Sequence, residues 1–149
     1  MDANNTRQVF DWLWTSGQLS EKDILQLASL GFDVVINLAL PSTSNALIGE
    51  AELVTGQGLV YVQIPVEWEY PHNEQFTQFT GLMKVFSGRK IWVHCAKNMR
   101  VSAFIYLYRK LVLGDSEKDA SLLLREIWSP NDIWLAFIQE VIASYSKAE

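Results

Sequence analysis

The sequence predicts an α/β fold: a small, mainly parallel sheet flanked by helices, with a C-terminal third made of helices alone. Three observations carry that expectation. Short apolar runs at residues 34–38, 59–64 and 91–93 alternate with helical patterns, as in sheets built from parallel strands and helical crossovers. Nothing between Gly114 and Tyr145 has strand character. The chain has 149 residues, 49% apolar and 12% aromatic, enough for one domain over residues 1–149 to bury a substantial core without disulfide or metal.

The elements are justified in chain order. Residues 20–30 read as a helix, with Ser20 as N-cap, Asp23 three residues on and Gly31 as the stop. Residues 34–38 are apolar except for Asn37, as expected of a strand buried on both faces. A polar loop at 41–45 leads to a short helix over 46–55, ended near Gly56 and Gly58, and to a second buried strand at 59–64, closed by Pro65. A loop rich in Glu, Trp and Tyr fills 66–72. Residues 73–86 are amphipathic, with Phe76, Phe79, Met83 and Phe86 near one helical face, which reads as core packing. The strand at 91–93 precedes three helices. One covers 101–113 and stops at Gly114, and one starts at Ser116 with Asp119 closing a capping box. The last starts with Ser129 as N-cap and Pro130 at the first helical position. The recurrence of Ser-Glu-Lys-Asp at 20–23 and 116–119 is explained as two helix caps.

Composition removes several function classes. The formal net charge is −5 with no Lys/Arg run, which argues against nucleic-acid binding or adhesion to a membrane surface. No apolar stretch reaches membrane-spanning length, and the N-terminal residues lack the apolar core of a secretion signal. One cysteine excludes an internal disulfide, and His72 and His94 are too few and scattered for a metal site, so neither metal nor cofactor is expected. A reducing, cytoplasmic setting is the expectation. Oligomeric state is not legible.

The most informative segment is Ile91-Trp92-Val93-His94-Cys95-Ala96-Lys97-Asn98-Met99-Arg100-Val101-Ser102. A strand ending in His94-Cys95, a tight loop and Arg100 opening a helix together aim a thiol, backbone N–H groups and a guanidinium at one point. That suits a tetrahedral oxyanion such as phosphate, because a helix N-terminus adds partial positive charge and free donors. The same field favours a thiolate nucleophile. On residue type alone, a single Cys closing a buried strand is usually a small inert hydrophobe, and it is the flanking His94 and Arg100 that favour the nucleophile. Arg100 has a surface ion pair as its plain alternative, and Lys97 is either a source of rim potential or a solvated side chain. Ser102 either hydrogen-bonds Cys95 or merely occupies the first helical turn.

The His-Cys, short loop, Arg and nearby Ser resemble the signature of cysteine-dependent phosphatases of the protein-tyrosine and dual-specificity kind. Residues 16–20 and 31–38 are similar to a small bacterial branch of that superfamily, some members of which are fused to β-lactamase-like hydrolases. The resemblance covers about Trp14 to Trp128. It implies a dual-specificity-phosphatase-like fold and hydrolysis of phosphomonoesters, carried by a small molecule or a protein, through a phosphocysteine on Cys95. It further implies that Arg100 grips the phosphate, that Ala96, Lys97, Asn98, Met99 and Ser102 line it, and that His94 orders the loop. The family's general acid is an Asp on a loop after an earlier strand. The matching segment offers Glu67, with Glu69 in reserve, while Trp68 and Tyr70 either wall the pocket or pin the loop.

The chain departs from the family pattern. Four residues rather than five separate Cys95 from Arg100, none is glycine, and Val101 stands before Ser102. Backbone wrapping an anion often needs a positive φ, which Asn98 tolerates better than most residues. Rhodanese-type sulfurtransferases use a loop of this shorter length, but their fold resumes strand after it. The alternatives are therefore an oxyanion-binding module without useful turnover and, behind it, a sulfurtransferase.

Overall fold

A computed structural model describes residues 1–148, in which five strands form one sheet of order β1-β2-β5-β3-β4. The strands are β1 (Arg7–Phe10), β2 (Leu13–Ser16), β3 (Val34–Asn37), β4 (Val60–Gln63) and β5 (Ile91–His94). β2, β5, β3 and β4 run parallel, and only β1 is antiparallel, as an edge strand. β5 is central, pairing Ile91 with both Leu13 and Val34 and His94 with both Ser16 and Asn37. All four residues of β3 and of β5 are buried, which is why they read as continuous apolar runs.

The sheet divides the core. One face packs Leu13, Ile36, Val93 and Cys95 against the helices α3 (Asn73–Val85), α4 (Met99–Leu107) and α7 (Asp132–Ala148). The other packs Val35 and Trp92 against Leu19, Ile24 and Leu27 and the short helices α1 (Glu21–Leu25) and α2 (Glu50–Thr55). α5 (Glu117–Ala120) and α6 (Leu122–Ile127) precede α7, so among the described residues only helices follow β5. None is long and apolar enough to cross a membrane.

The α/β expectation holds, with local differences. The hairpin β1–β2 is absent from the predicted elements because neither strand is an apolar run, Arg7 and Gln8 in β1 and Thr15 and Ser16 in β2 being polar, and β1 is bulged between Gln8 and Phe10. The helix expected over 20–30 is α-helical only to Leu25. Beyond it the chain tightens into three-residue turns such as Leu27 N–H to Ile24 C=O, and Gly31 ends it at φ +86°. The full capping box between Ser20 and Asp23 forms as expected. The helix expected from residue 46 begins at Glu50, because Gly49 at φ +81° breaks the approach. α4 starts at Met99, two residues earlier than predicted, and relaxes into a π-helical turn over Tyr108–Val112. At Ser116 only half of the expected box forms, the Asp119 N–H donating to Ser116 Oγ. The last helix is capped by Asn131 rather than Ser129: its Oδ1 accepts the Trp134 N–H at 3.0 Å, so Pro130 lies outside the helix.

Candidate active site

β5 ends at His94 and α4 begins at Met99, so Cys95, Ala96, Lys97 and Asn98 make the whole connection. A loop this short closes only if one residue reverses the backbone. Asn98 does so at φ +67°, ψ +3°, the left-handed conformation that its short polar side chain tolerates. The side chain also anchors the bend, with Nδ2 donating to Asn5 C=O at 2.8 Å and Thr15 Oγ1 at 3.0 Å. This departs from the expectation that Asn98 lines an anion site: its side chain is fully buried toward the N-terminal segment.

The loop is braced from outside. Ala96 C=O accepts from the Gln18 N–H at 3.1 Å and from Asn45 Nδ2 at 3.2 Å, while Lys97 C=O accepts from Asn5 Nδ2 at 3.0 Å. In a planar trans peptide the N–H points opposite to the preceding carbonyl. The Lys97 N–H is therefore turned away from those braces, and no acceptor among the described residues meets it. Gly17 allows the close approach, since a Cβ there would lie 2.8 Å from Ala96 O and 3.2 Å from Lys97 Cα. The glycine missing from the loop is thus supplied by the strand end packed against it.

Cys95, Ala96, Lys97, Met99, Arg100 and Trp68 line one cavity of about 320 Å³, together with Thr43 and Ser44 of the 41–45 loop. Arg100 is 7% exposed, and its Nε and Nη1 are buried with no protein partner. Burial pulls the guanidinium below its ordinary pKa, and the nearby Cys95 sulfur opposes that shift. Arginine nitrogens cannot shed their protons in a protein, so buried and unpaired they call for an anion. The one neighbour stacked near the guanidinium is Trp68, with Arg100 Cζ 5.7 Å from its ring.

His94 is fully buried, and its Nε2 lies 2.6 Å from Glu50 Oε2. Burial alone would raise the Glu50 pKa, but the hydrogen bond and charge of His94, with help from Gln18 and Tyr61, hold it below the ordinary range. Burial, helped by the same carboxylate, pushes the Tyr61 phenol up to about 12. His94 is thereby committed to a buried pair beneath the loop. Ser102 is committed too: Oγ donates to Met99 C=O at 2.6 Å and accepts the Trp128 indole N–H at 3.0 Å. Its single proton is not available to Cys95 in this arrangement, which corrects the first of the two sequence readings, and Ser102 does not line the cavity.

Glu67 and Glu69 are exposed on the loop after β4. They line not the cavity holding Cys95 but an adjoining one of about 370 Å³, which shares Thr43, Trp68 and Arg100 with it. Trp68 both walls the site and pins the loop. Its ring lies 5.2 Å from Trp128 and 5.7 Å from Trp134, and its carbonyl accepts the Trp134 indole N–H at 2.8 Å. Sequence reasoning missed Glu50, Gly17, Thr43 and Ser44. Thr43 and Ser44 carried a signal, as hydroxyls in a polar loop after a buried strand, and Gly17 lay within the 16–20 segment of the family resemblance without being read as part of the site.

The family model described as DSP-PTPase phosphatase fused to NAD+ kinase matches residues 2–131. The chain belongs to this family of cysteine-dependent phosphatases. A DUF442 protein from Shewanella putrefaciens CN-32, crystallised as a candidate phosphatase, is 34% identical. The match has a TM-score of 0.85 and covers 97% of this chain and 95% of that one. Tk-PTP in its active form shares the fold at 17% identity and a TM-score of 0.73, over 97% of this chain and 98% of its own. So does PTPMT1 in complex with PI(5)P, at 12% identity and a TM-score of 0.80, over 97% and 99%. Among curated proteins none matches the chain significantly.

Proposed function

We propose that this family member is a working phosphatase that hydrolyses phosphomonoesters through a phosphocysteine on Cys95. The single observation that supports this best is the buried guanidinium of Arg100, two of its nitrogens unpaired, on the cavity that also holds the only cysteine. In the first step the Cys95 thiolate attacks phosphorus and the P–O bond to the leaving group breaks, with Glu67 giving that oxygen a proton. In the second, water attacks the phosphocysteine, Glu67 takes back a proton, and inorganic phosphate leaves with the thiolate restored. Arg100 holds two equatorial oxygens in a planar fork, and the Lys97 N–H and ammonium add donors and charge. Charge placement of this kind carries most of phosphoryl-transfer catalysis. Glu67 reaches the leaving oxygen from the adjoining cavity, whose wall it shares with Arg100.

Steady-state hydrolysis of an aryl phosphate at mildly acidic pH tests the proposal. Cys95→Ser is expected to abolish turnover, and Arg100→Lys to lower it about 10²–10³-fold, as for loss of a preorganised charge donor. Turnover retained in Cys95→Ser refutes it. The second reading, an oxyanion-binding module, draws on one observation: neither Glu67 nor Glu69 lines the cavity containing Cys95. It predicts a melting temperature raised by phosphate or vanadate in a wild-type protein with background turnover.

A further inference from the structure

The two adjoining cavities differ in charge. The inner one carries Lys97 and Arg100 and no carboxylate. The outer one carries Glu67 and Glu69, and its only cation is Arg100, the residue it shares with the inner cavity. Arg100 is more than nine-tenths buried, with Nε and Nη1 unpaired, and only the inner cavity sets Cys95 and Lys97 beside it with no carboxylate, which marks that cavity as the seat of the phosphate. A phosphate dianion seated there uses both cations. The outer cavity adjoins that seat across Trp68, so a group carried by the phosphate that extends this way meets no further positive side chain to receive a second anionic group. Tyr70, 63% exposed on that wall, instead offers a ring face to an apolar or cationic group.

We infer that this chain selects monophosphates whose organic part is neutral or positively charged, and that Glu69 is the residue that discriminates. The identity of the inner cavity rests on the phosphatase reading above. The discrimination rests on the charge of the outer wall. Substrates bearing a second phosphate or a carboxylate within reach of residues 67–70 meet only repulsion there, while an ammonium group meets a carboxylate and an aromatic face.

The test uses three aryl phosphates matched in leaving group and differing in tail: 4-(2-aminoethyl)phenyl phosphate, 4-ethylphenyl phosphate and 3-(4-phosphonooxyphenyl)propanoate. For the wild type, kcat/KM is expected to be about tenfold higher for the cationic than for the anionic compound at low ionic strength. The gap should shrink in high salt, as exposed charges are screened. Glu69→Gln should remove most of the gap and Glu69→Lys should reverse it. Affinities of the same compounds for Cys95→Ser, measured by calorimetry, should follow the same order. Equal rates and equal affinities across the series overturn the inference and leave the phosphatase reading standing. A wild type without turnover, but with charge-ordered binding to Cys95→Ser, overturns the phosphatase reading and upholds the selection. Neither turnover nor binding overturns both, and a preference unchanged in Glu69→Gln overturns the role given to that residue.

Discussion

Adding one methyl group at Gly17 should damage both stability and the loop that carries Cys95. A Cβ there lies 2.8 Å from Ala96 O, about 0.6 Å inside the 3.4 Å at which ordinary contact begins, and 3.1 Å from Asn4 O. Both obstacles are backbone, so neither can rotate aside. Relief requires the loop or the N-terminal segment to move by roughly half an ångström. That strains the Gly17 N–H to Asn4 C=O bond at 2.8 Å and the Gln18 N–H to Ala96 C=O bond at 3.1 Å. Overpacking costs about 1–3 kcal/mol and each hydrogen bond is worth about 1 kcal/mol, so Gly17→Ala should destabilise by about 2–3 kcal/mol. For a chain of this size that lowers Tm by about 4–12 °C. Displacement of reacting groups on this scale costs up to ~100-fold in rate, so kcat/KM should fall 10–100-fold. Urea denaturation and steady-state kinetics measure both. Gly81→Ala is the control: that position is in α3, exposed, and has nothing within 4 Å of an added Cβ. It should stabilise by about 0.5–1 kcal/mol, because alanine is the better helix former. If Gly17→Ala matches wild type in stability and kcat/KM, the argument that the loop is braced from residues 16–18 is wrong.

Two further outcomes follow from the same geometry. Glu50→Gln removes one partner of a buried pair and should cost about 3 kcal/mol in urea denaturation. Because the folded-state pKa of Glu50 is held below its ordinary 4.5, its stabilising contribution is complete above about pH 4.5 and disappears as pH falls through the lower folded value; the variant should lose that acid-limb dependence. Asn98→Ala should destabilise by about 3–4 kcal/mol, from about 1–2 kcal/mol of left-handed backbone strain and about 1 kcal/mol for each of two lost hydrogen bonds. Asn98→Gly should recover only the strain part, and thermal shift with vanadate reads loop integrity in each.

The unit from β5 through Cys95 to α4 was legible because each part obeys a local rule: an apolar run, a tight loop, and a residue tolerant of positive φ at position 98. The cap at Ser20 and the buried face of Phe76, Phe79 and Met83 were legible for the same reason. The hairpin β1–β2 was not, since neither four-residue strand has an apolar run, and Thr15 and Ser16 are buried polar residues whose partners lie far along the chain. Glu50 looked like an ordinary first-turn acid. Only the fold, by stacking α2 over the end of β5, reveals it as the partner of His94. Ser102 sits in the first helical turn and Asn98 takes the positive φ, both as read, but neither side chain lines the cavity it was expected to line, because periodicity places a residue on an element without saying which neighbour claims its side chain.

The bonds joining Asn5 to Lys97 and Asn98 bridge 92 and 93 positions of sequence. Closing a segment of that length carries an entropic cost that local pairing does not. A chain emerging from the ribosome therefore holds residues 4–17 in waiting while some eighty more are made. Cys95 gains its finished surroundings only after the last strand of the sheet has been inserted between two already synthesised neighbours. Partially made chains carry Asn5, Gly17 and Gln18, which brace the loop, long before they carry the loop itself or Arg100 beyond it.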